Sequence, residues 1–153
     1  MNIEEYFKID GNYELKDGLY NVDGNAWLKR QVEKLPVKFG IVTGNFECHY
    51  NKLTSLEGCP TWVGGNFECH YNNLNSLKGA PKRVDGYFYC FDTNLNSLEY
   101  CPTFVGGDFY CDSTDLNSLE YCPAFVGGEF FCDNELHNTK EYKKFKILEK
   151  LRK

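Results

Sequence analysis

Two histidines and two glutamates of this sequence are residues of the types that form metal sites. His49 and His70 lie 21 residues apart, and each follows a glutamate, Glu47 or Glu68, by two positions. Imidazole and carboxylate groups are common zinc ligands. Adjacent repeats also share residues because they descend from one unit, and the sequence supplies no partners that would orient metal ligands. Shared ancestry is the favoured interpretation, and we predict no metal and no cofactor.

Eight cysteines fall into two series. In the first series, every cysteine lies 21 residues after the previous one. The second series occupies another position of the repeat, and Ala80 fills that position in one coil. The members are Cys48, Cys69, Cys90, Cys111 and Cys132 in the first series, and Cys59, Cys101 and Cys122 in the second. No close pair of the C-x₂-C type is present, and parallel side chains on stacked coils suit a disulfide poorly. We predict buried free thiols, with oxidised pairs and metal ligation as the alternatives.

Catalytic signatures are missing from the sequence. It contains no nucleophile paired with a base, no glycine-rich phosphate loop that opens a helix, and no HExxH. We therefore predict that the protein is not an enzyme. A metal-dependent enzyme at Glu47, His49, Glu68 and His70 is the least favoured alternative.

A 21-residue repeat positions all these side chains. Phe46, Cys48, Leu53, Leu56 and Val63 begin columns of identical residues that return at that interval. A fixed period in the twenties is typical of a solenoid, in which each coil buries its apolar face against its neighbours. We predict a short parallel β-sheet on one face, formed by x-Phe-x-Cys-x strands with Phe and Cys pointing inward. Turns, extended segments or 3₁₀ pieces are expected on the return side.

Polar residues and glycines are expected to shape the bends of each coil. The corner after each strand carries one polar side chain that can satisfy backbone groups. These residues are Asn51, Asn72, Thr93 and Thr114. Each Gly-Gly pair is predicted to form a tight turn with φ > 0 in at least one residue.

The ends of the chain differ from the repeats, and we predict one domain over residues 1–153. An N-terminal cap (1–21) contains a short amphipathic helix over residues 2–9. Repeats cover residues 22–137, and the first coil is degenerate. A helix over 139–152, within the segment 138–153, closes the open end of the solenoid because the last strand would otherwise expose unpaired backbone groups.

Charge is unevenly distributed along the chain. Residues 43–137 carry 13 acidic and four basic side chains, whereas residues 138–153 carry two and seven. An acidic body disfavours nucleic acid and favours a basic protein surface as the partner. No run of 18 apolar residues and no signal peptide is present, so we expect no membrane contact and a cytoplasmic location.

The outward strand positions vary from coil to coil while the inward ones do not. They bring aromatic rings and carboxylates together, a composition typical of a protein-binding surface; the alternative is that the rings only stabilise the sheet. The predicted partner-binding residues are Glu68, His70, Tyr87, Tyr89, Phe91, Asp92, Asp108, Tyr110, Asp112, Glu129, Phe131 and Asp133. A second apolar row, Trp62, Phe104 and Phe125, is expected either to cover the return side or to support self-association.

The pattern Phe-x-Cys-x-x-Asn-x-Leu-x-x-Leu resembles the leucine-rich repeat. The units Leu-Asn-Ser-Leu-Glu-Tyr-Cys-Pro-x-Phe-Val-Gly-Gly, together with the segment 34–44, resemble repeats in uncharacterised proteins of tailed bacteriophages, over roughly residues 20–137. The resemblance implies a binding solenoid and does not imply an enzyme.

We therefore predict a non-enzymatic protein-binding module, encoded by a phage, that acts in the host bacterial cytoplasm on a basic surface of a host protein. The inhibition of a defence, CRISPR or nuclease component is the expected use. One alternative is a nucleic-acid-associated modulator that uses the basic tail, and another is a virion or assembly adaptor that uses the Trp62 row. The basic tail comprises Lys140, Lys143, Lys144, Lys146, Lys150, Arg152 and Lys153.

Overall fold

A computed structural model describes residues 2–29 and 31–153. It shows a parallel β-solenoid of about five turns that ends in one helix. The predicted repeat solenoid is thus confirmed at this level. Among the described residues, no helix is both long enough and apolar enough to cross a membrane.

The N-terminal segment is a hairpin, and the repeats follow it. A 3₁₀ turn (Ile3–Glu5) leads into β1 (Phe7–Lys16) and β2 (Leu19–Leu28), which pair antiparallel along their full length. The following strands are β3 (Phe39–Val42), β4 (Phe46–Glu47), β5 (Trp62–Val63), β6 (Phe67–Glu68), β7 (Arg83–Val84), β8 (Phe88–Tyr89), β9 (Phe104–Val105), β10 (Phe109–Tyr110), β11 (Phe125–Val126) and β12 (Phe130–Phe131). A second 3₁₀ turn (Asn134–Leu136) precedes helix α1 (Lys140–Arg152).

Two parallel ladders run along the solenoid, whereas the sequence predicted one. The even-numbered strands β4 to β12 form the phenylalanine ladder, and the odd-numbered strands β3 to β11 form the valine ladder. Strand β2 pairs with the first member of each, through Val22↔Val42 and Ala26↔Phe46. Val22 therefore occupies the valine slot, and Ala26 the phenylalanine slot, of the degenerate first coil. The valine ladder forms because its side chains alternate between core and solvent, as in any half-buried strand.

Columns of identical residues fill the core. Phe46, Phe67, Phe88, Phe109 and Phe130 are buried, and neighbouring rings stack with centroids 5.1–5.8 Å apart. The leucines and valines of the repeat are buried in their own columns. Burial of each phenylalanine contributes about 1.5–3 kcal/mol, so each coil is stabilised mainly by the coil on either side.

The cysteines are free thiols that pack in the core, as predicted. The five at 21-residue spacing and Cys59 are buried, while Cys101 and Cys122 are half-buried. The Cys90 thiol donates to the Tyr110 carbonyl at 3.2 Å, and burial raises the pKa of this thiol well above its usual range. These side chains behave as small apolar residues.

The polar corner side chains bond the backbone, as predicted. Asn72 is buried, and its amide donates to the carbonyl oxygens of Cys48 and Cys69 at 2.9 and 3.0 Å. Its Oδ1 accepts the Leu53 N–H at 2.9 Å. Thr93 replaces the asparagine in the next coil and donates to the Cys90 carbonyl at 2.8 Å.

The prediction of left-handed Gly-Gly turns is wrong. Positive φ occurs instead at two other slots of each coil, which hold Tyr50, Tyr71, Asp92 and Ser113, and Gly58, Gly79, Tyr100 and Tyr121. The paired glycines are required by the close approach of coils. A Cβ on Gly64 would lie 2.2 Å from the carbonyl oxygen of Thr43 in the preceding coil.

The predicted helix over residues 2–9 is also wrong, because only Ile3–Glu5 forms a helical turn. Asn2 does cap this turn, accepting the Glu4 N–H at 3.1 Å. Strand pairing with β2 takes over from Phe7, whose ring packs edge-on against Phe39 at 4.9 Å. The gain from this long hairpin exceeds the weak intrinsic stability of a two-turn helix.

The C-terminal helix was predicted correctly. Thr139 is its N-cap and accepts the Tyr142 N–H at 3.3 Å. Phe145 is buried and stacks on Phe130 at 4.7 Å, so the helix extends the phenylalanine column by one ring. Glu149 accepts the Phe130 N–H at 3.1 Å, and Arg152 donates to the Val126 carbonyl at 2.7 Å. Helix α1 thereby closes the ends of both ladders.

Candidate binding site

The phenylalanine ladder aligns outward side chains into rows, because its strands pair in register at 21-residue steps. Each outward residue on one strand has its equivalent directly beside it on the next, as in Glu68↔Tyr89 and Tyr110↔Phe131. The aromatic rings on this side, which we name the aromatic face, are those of Tyr87, Tyr89, Phe91, Tyr110 and Phe131. The structure thus brings together the predicted ring cluster on one surface.

Tyr89 is the centre of the aromatic face. The ring of Tyr110 lies 4.8 Å away and tilted, while those of Phe91 and Tyr87 meet Tyr89 edge-on at 5.9 Å each. Beyond Tyr110, the ring of Phe131 stacks at 4.3 Å. The rings hold one another in place, so the surface is preorganised rather than a set of independent side chains.

A cleft opens over these rings. It has a volume of about 600 Å³. The lining residues are Glu68, His70, Tyr89, Phe91, Tyr110 and Asp112. All six belong to the partner-binding set predicted from the sequence.

Two carboxyl groups border the cleft, and neither forms an ion pair with a lysine or arginine among the described residues. Burial, with a contribution from Glu47, raises the pKa of Glu68 to about 7. Burial also raises the pKa of Asp112, and the nearby carboxylates of Asp133 and Asp92 act in the same direction. The cleft therefore contains two partly desolvated carboxyl groups, and in the described part of the chain neither is paired with a lysine or arginine.

The remaining predicted acids serve different roles. Asp108 accepts the Glu129 N–H at 2.8 Å, and Asp133 accepts the Ser113 and Thr114 N–H groups at 2.9 and 3.3 Å. These two carboxylates satisfy the backbone between coils as well as carrying charge. The side chain of Glu129 itself is exposed.

The histidines form a cluster at the other end of the cleft. The rings of His49 and His70 stack with centroids 4.6 Å apart and planes 7° apart. The Nδ1 of His49 lies 3.3 Å from Oε2 of Glu68, without the alignment of a hydrogen bond. Burial lowers the pKa of His70 to about 4, aided by His49 and opposed by Asp92. Three of the four side chains considered as metal ligands thus meet.

One aromatic pair beside this cluster was not predicted. Tyr50 and Tyr71 stack at 4.5 Å and are exposed. Tyr71 also contacts Phe91 edge-on at 5.7 Å, which extends the ring surface past the histidines. Their shared slot in adjacent coils was the available sequence signal.

The apolar row on the valine ladder is stabilised by its own neighbours. Trp62 donates from Nε1 to Asp85 at 3.0 Å, and Arg83 pairs with the same carboxylate at 2.7 Å. The guanidinium of Arg83 lies 4.1 Å from the centre of the Phe104 ring, which stacks on Phe125 at 4.8 Å. Phe125 remains 46% exposed and is the part of the row open to a partner.

Two of the seven basic side chains of the tail take part in capping. Lys146 pairs with Glu149 at 3.1 Å, and Arg152 bonds the Val126 carbonyl. The other five are exposed on or beside helix α1: Lys140, Lys143, Lys144, Lys150 and Lys153. In the last turn, such cations also complement the helix dipole.

Comparisons with known proteins give no match. No family model matches the chain, and no curated protein or solved structure matches it significantly.

Proposed function

We propose that this protein is a non-enzymatic binding module that docks a basic surface of another protein onto the aromatic face. The observation that supports this most directly is the cleft, where the rings of Tyr89, Phe91 and Tyr110 meet the carboxyl groups of Glu68 and Asp112. A lysine or arginine side chain of the partner fits this combination of groups.

Cation recognition follows from the chemistry of the cleft. An aromatic ring attracts a cation over its face by about 0.5–2 kcal/mol, and more strongly when water is excluded. A guanidinium or ammonium group between Glu68 and Asp112 would also form ion pairs with these two carboxyl groups. No outward position of the phenylalanine ladder from Asn45 to Asp133 is a lysine or arginine. The ammonium group of Lys146 lies 6.0 Å from the centre of the Phe131 ring, so a basic partner meets least repulsion over Tyr89 and Tyr110.

The biological setting is part of the proposal and depends on sequence resemblance alone. The resemblance to leucine-rich repeats and to phage repeat proteins favours a host bacterial protein as the partner, met in the bacterial cytoplasm. A nuclease or CRISPR effector has the basic, nucleic-acid-binding surface that an acidic aromatic face would occupy. Occupation of that surface would inhibit the effector without any chemical step.

The test compares matched variants for retention of proteins from a bacterial lysate and for binding of defined peptides. The triple variant Tyr89→Ala, Tyr110→Ala and Phe131→Ala removes three rings from the aromatic face. A control triple, Tyr13→Ala, Tyr100→Ala and Tyr121→Ala, removes three exposed rings elsewhere. We expect an arginine-rich peptide to bind wild type and the control, and to bind the face variant at least about tenfold more weakly.

Charge is tested separately from the rings. Asp112→Asn should weaken binding of the basic peptide, with less effect at high salt because screening already reduces the attraction. Glu57→Gln, an exposed change outside the cleft, should leave it unaltered. Equal retention of partner and peptide by wild type and the face variant would contradict the proposal. If nucleic acid dominates the material that both retain, the basic tail becomes the favoured surface.

A further inference from the structure

His49, Glu68 and His70 converge at one point of the phenylalanine ladder. The two histidines follow β4 and β6 in the same slot of adjacent coils, and Glu68 lies on β6 two residues before His70. Each of the three side chains offers a ligand atom that lies within 4.8 Å of the other two. Aromatic rings border this arrangement on both sides: Phe91 stacks on His70 at 4.5 Å, and Tyr50 meets His49 edge-on at 5.3 Å.

A second observation is independent of this proximity. His70 is only 8% exposed, yet its Nδ1 is buried without a hydrogen-bond partner, and the Nδ1 of His49 is in the same condition. Buried polar atoms without partners are rare in native proteins, and each costs about 1–3 kcal/mol. Here two of them lie in one cluster beside a carboxylate.

We propose that His49, Glu68 and His70 bind one divalent transition-metal ion of the zinc class. A cation accepts lone pairs from both imidazoles and the carboxylate at once, whereas a single hydrogen-bond donor satisfies only one of them. Two imidazoles and one carboxylate suit Zn²⁺, and three protein ligands leave a fourth position for water or another ligand. This assignment does not depend on the proposed protein-binding function.

Side-chain adjustment is needed for ligation and is available. Ligand atoms around tetrahedral zinc lie about 3.3 Å apart, given metal–ligand bonds of about 2.0–2.2 Å. The side chains of His49 and Glu68 are 27% and 18% exposed, so they can rotate toward a common point while His70 stays packed. The His49 ring must tilt out of its parallel stack on His70 for the lone pairs of the two rings to meet.

The repeat limits the site to a single ion. In the following coil, Tyr89 stands in the slot of Glu68 and Phe91 in that of His70. In the preceding coil, Trp27 pairs with Glu47. Among the residues that the structure describes, the ligand set therefore lies between the coils of β4 and β6, and we expect one ion per chain.

The neighbouring coil suggests the most informative variant. His70→Phe introduces the residue type that Phe91 provides at the same position of the next coil. The ring stack is therefore kept, while the two imidazole nitrogens are lost. Glu68→Gln is a second variant that leaves both histidines in place. His137→Gln is the matched control, because His137, the third histidine of the chain, stacks on Tyr142 away from the cluster.

The experiment titrates the folded, chelator-treated full chain with Zn²⁺ by calorimetry and with Co²⁺ by visible absorption. We expect saturable binding of one ion to wild type and to His137→Gln. His70→Phe and Glu68→Gln should each weaken binding at least about 100-fold while circular dichroism shows an unchanged fold. Bound Co²⁺ should give the absorption of nitrogen and oxygen ligands without a thiolate charge-transfer band.

Three results would overturn the site. The first is that wild type binds no stoichiometric ion, and the second is that folded His70→Phe and Glu68→Gln both bind the ion as tightly as wild type does. A thiolate band on Co²⁺ would move the ion to the cysteines and equally reject the histidine cluster.

Discussion

Glu68 belongs to both the cleft and the histidine cluster, and its carboxyl group is partly buried. Its carboxyl group lies beside Glu47 and His49 and lines the cleft that contains Tyr89. Burial raises its pKa to about 7 from an ordinary value of 4.5. The folded protein therefore keeps a proton that the unfolded chain releases between these two pH values.

This difference makes stability depend on pH in a defined direction. Because the folded state binds the extra proton, the contribution of Glu68 is fully present below pH 4.5 and is lost as the pH rises through 7. Glu68→Gln keeps the shape without the ionisation. We expect the variant to be more stable than wild type at pH 8 and similar to it at pH 4, measured by urea unfolding in the presence of a chelator.

His70 makes stability depend on pH in the opposite direction. Its pKa is lowered from 6.5 to about 4 in the folded protein, so the stability that its neutral ring contributes is lost as the pH falls. Both proteins retain His70, so the difference between them isolates Glu68. A difference in unfolding free energy that stays constant from pH 4 to pH 8 would contradict the pKa shift.

The positions of individual residues could be predicted where the same residue type returns in every coil. The inward Phe, Cys, Leu and Val columns follow from the 21-residue period and from strand alternation. The left-handed positions did not follow, because Gly58 and Gly79 hold one such slot in two coils while Tyr100 and Tyr121 hold it in the next two. A tyrosine with positive φ gives no sequence signal, since the packed coil imposes the conformation that glycine adopts freely.

Helix α1 determines whether the last coil is closed. Phe145 covers Phe130 at the end of the phenylalanine column, while Ile147, two residues on, is 59% exposed. The helix is short and is stabilised mainly by this packing rather than by its own sequence.

Phe145→Ala should therefore lower the free energy of unfolding by about 3 kcal/mol, through loss of buried area and the cavity left behind. Ile147→Ala, an exposed change in the same helix, should stay within about 0.5 kcal/mol of wild type. Urea unfolding measures both values, and light scattering checks for association through the opened end. Equal effects of the two substitutions would show that Phe145 does not seal the column.

The two ends of the chain differ in how well sequence indicates structure. Apolar residues three apart, from Tyr142 to Leu151, correctly indicated the helix over residues 140–152. A similar pattern over residues 2–9 was misleading, because the ten-residue pairing of β1 with β2 outweighs local helix preference. Nothing in residues 2–9 alone reveals that a long partner strand follows.

The packed core of the solenoid shields most of the cysteine thiols from reagents in solution. Six of the eight cysteines are buried, and only Cys101 and Cys122 are half-buried. Burial raises the pKa of Cys101 to about 12, so even this thiol is almost entirely protonated at neutral pH.

We expect native protein at neutral pH to react with a maleimide at no more than these two positions on a short timescale, and at all eight in denaturant. Mass spectrometry counts the labelled thiols. Cys101→Ala with Cys122→Ala, which follows the precedent of Ala80 in the same slot, should remove the early labelling and keep the fold. Rapid reaction of the double variant at Cys48, Cys69 or Cys90 would contradict a closed core.

The sequence predicted only part of the candidate binding surface. A regular period places outward residues in rows, so the aromatic face followed from the sequence. The convergence of His49, Glu68 and His70 depends on ring stacking and side-chain rotation, and these are tertiary effects. For the same reason, the backbone role of Asp108 and Asp133 was not visible in a list of outward acids.

Strand β2 also has a consequence for the order in which the protein forms. It is one continuous strand that precedes the other strands of both ladders in the chain, and it carries the first rung of each. Its partner β1 precedes it directly, so the hairpin needs only local contacts, and each later coil then adds to a finished one about 21 residues upstream. Folding can therefore proceed in the direction of translation, coil by coil as the chain leaves the ribosome. Helix α1, which follows the last coil along the chain, ends the stack by covering the final rung.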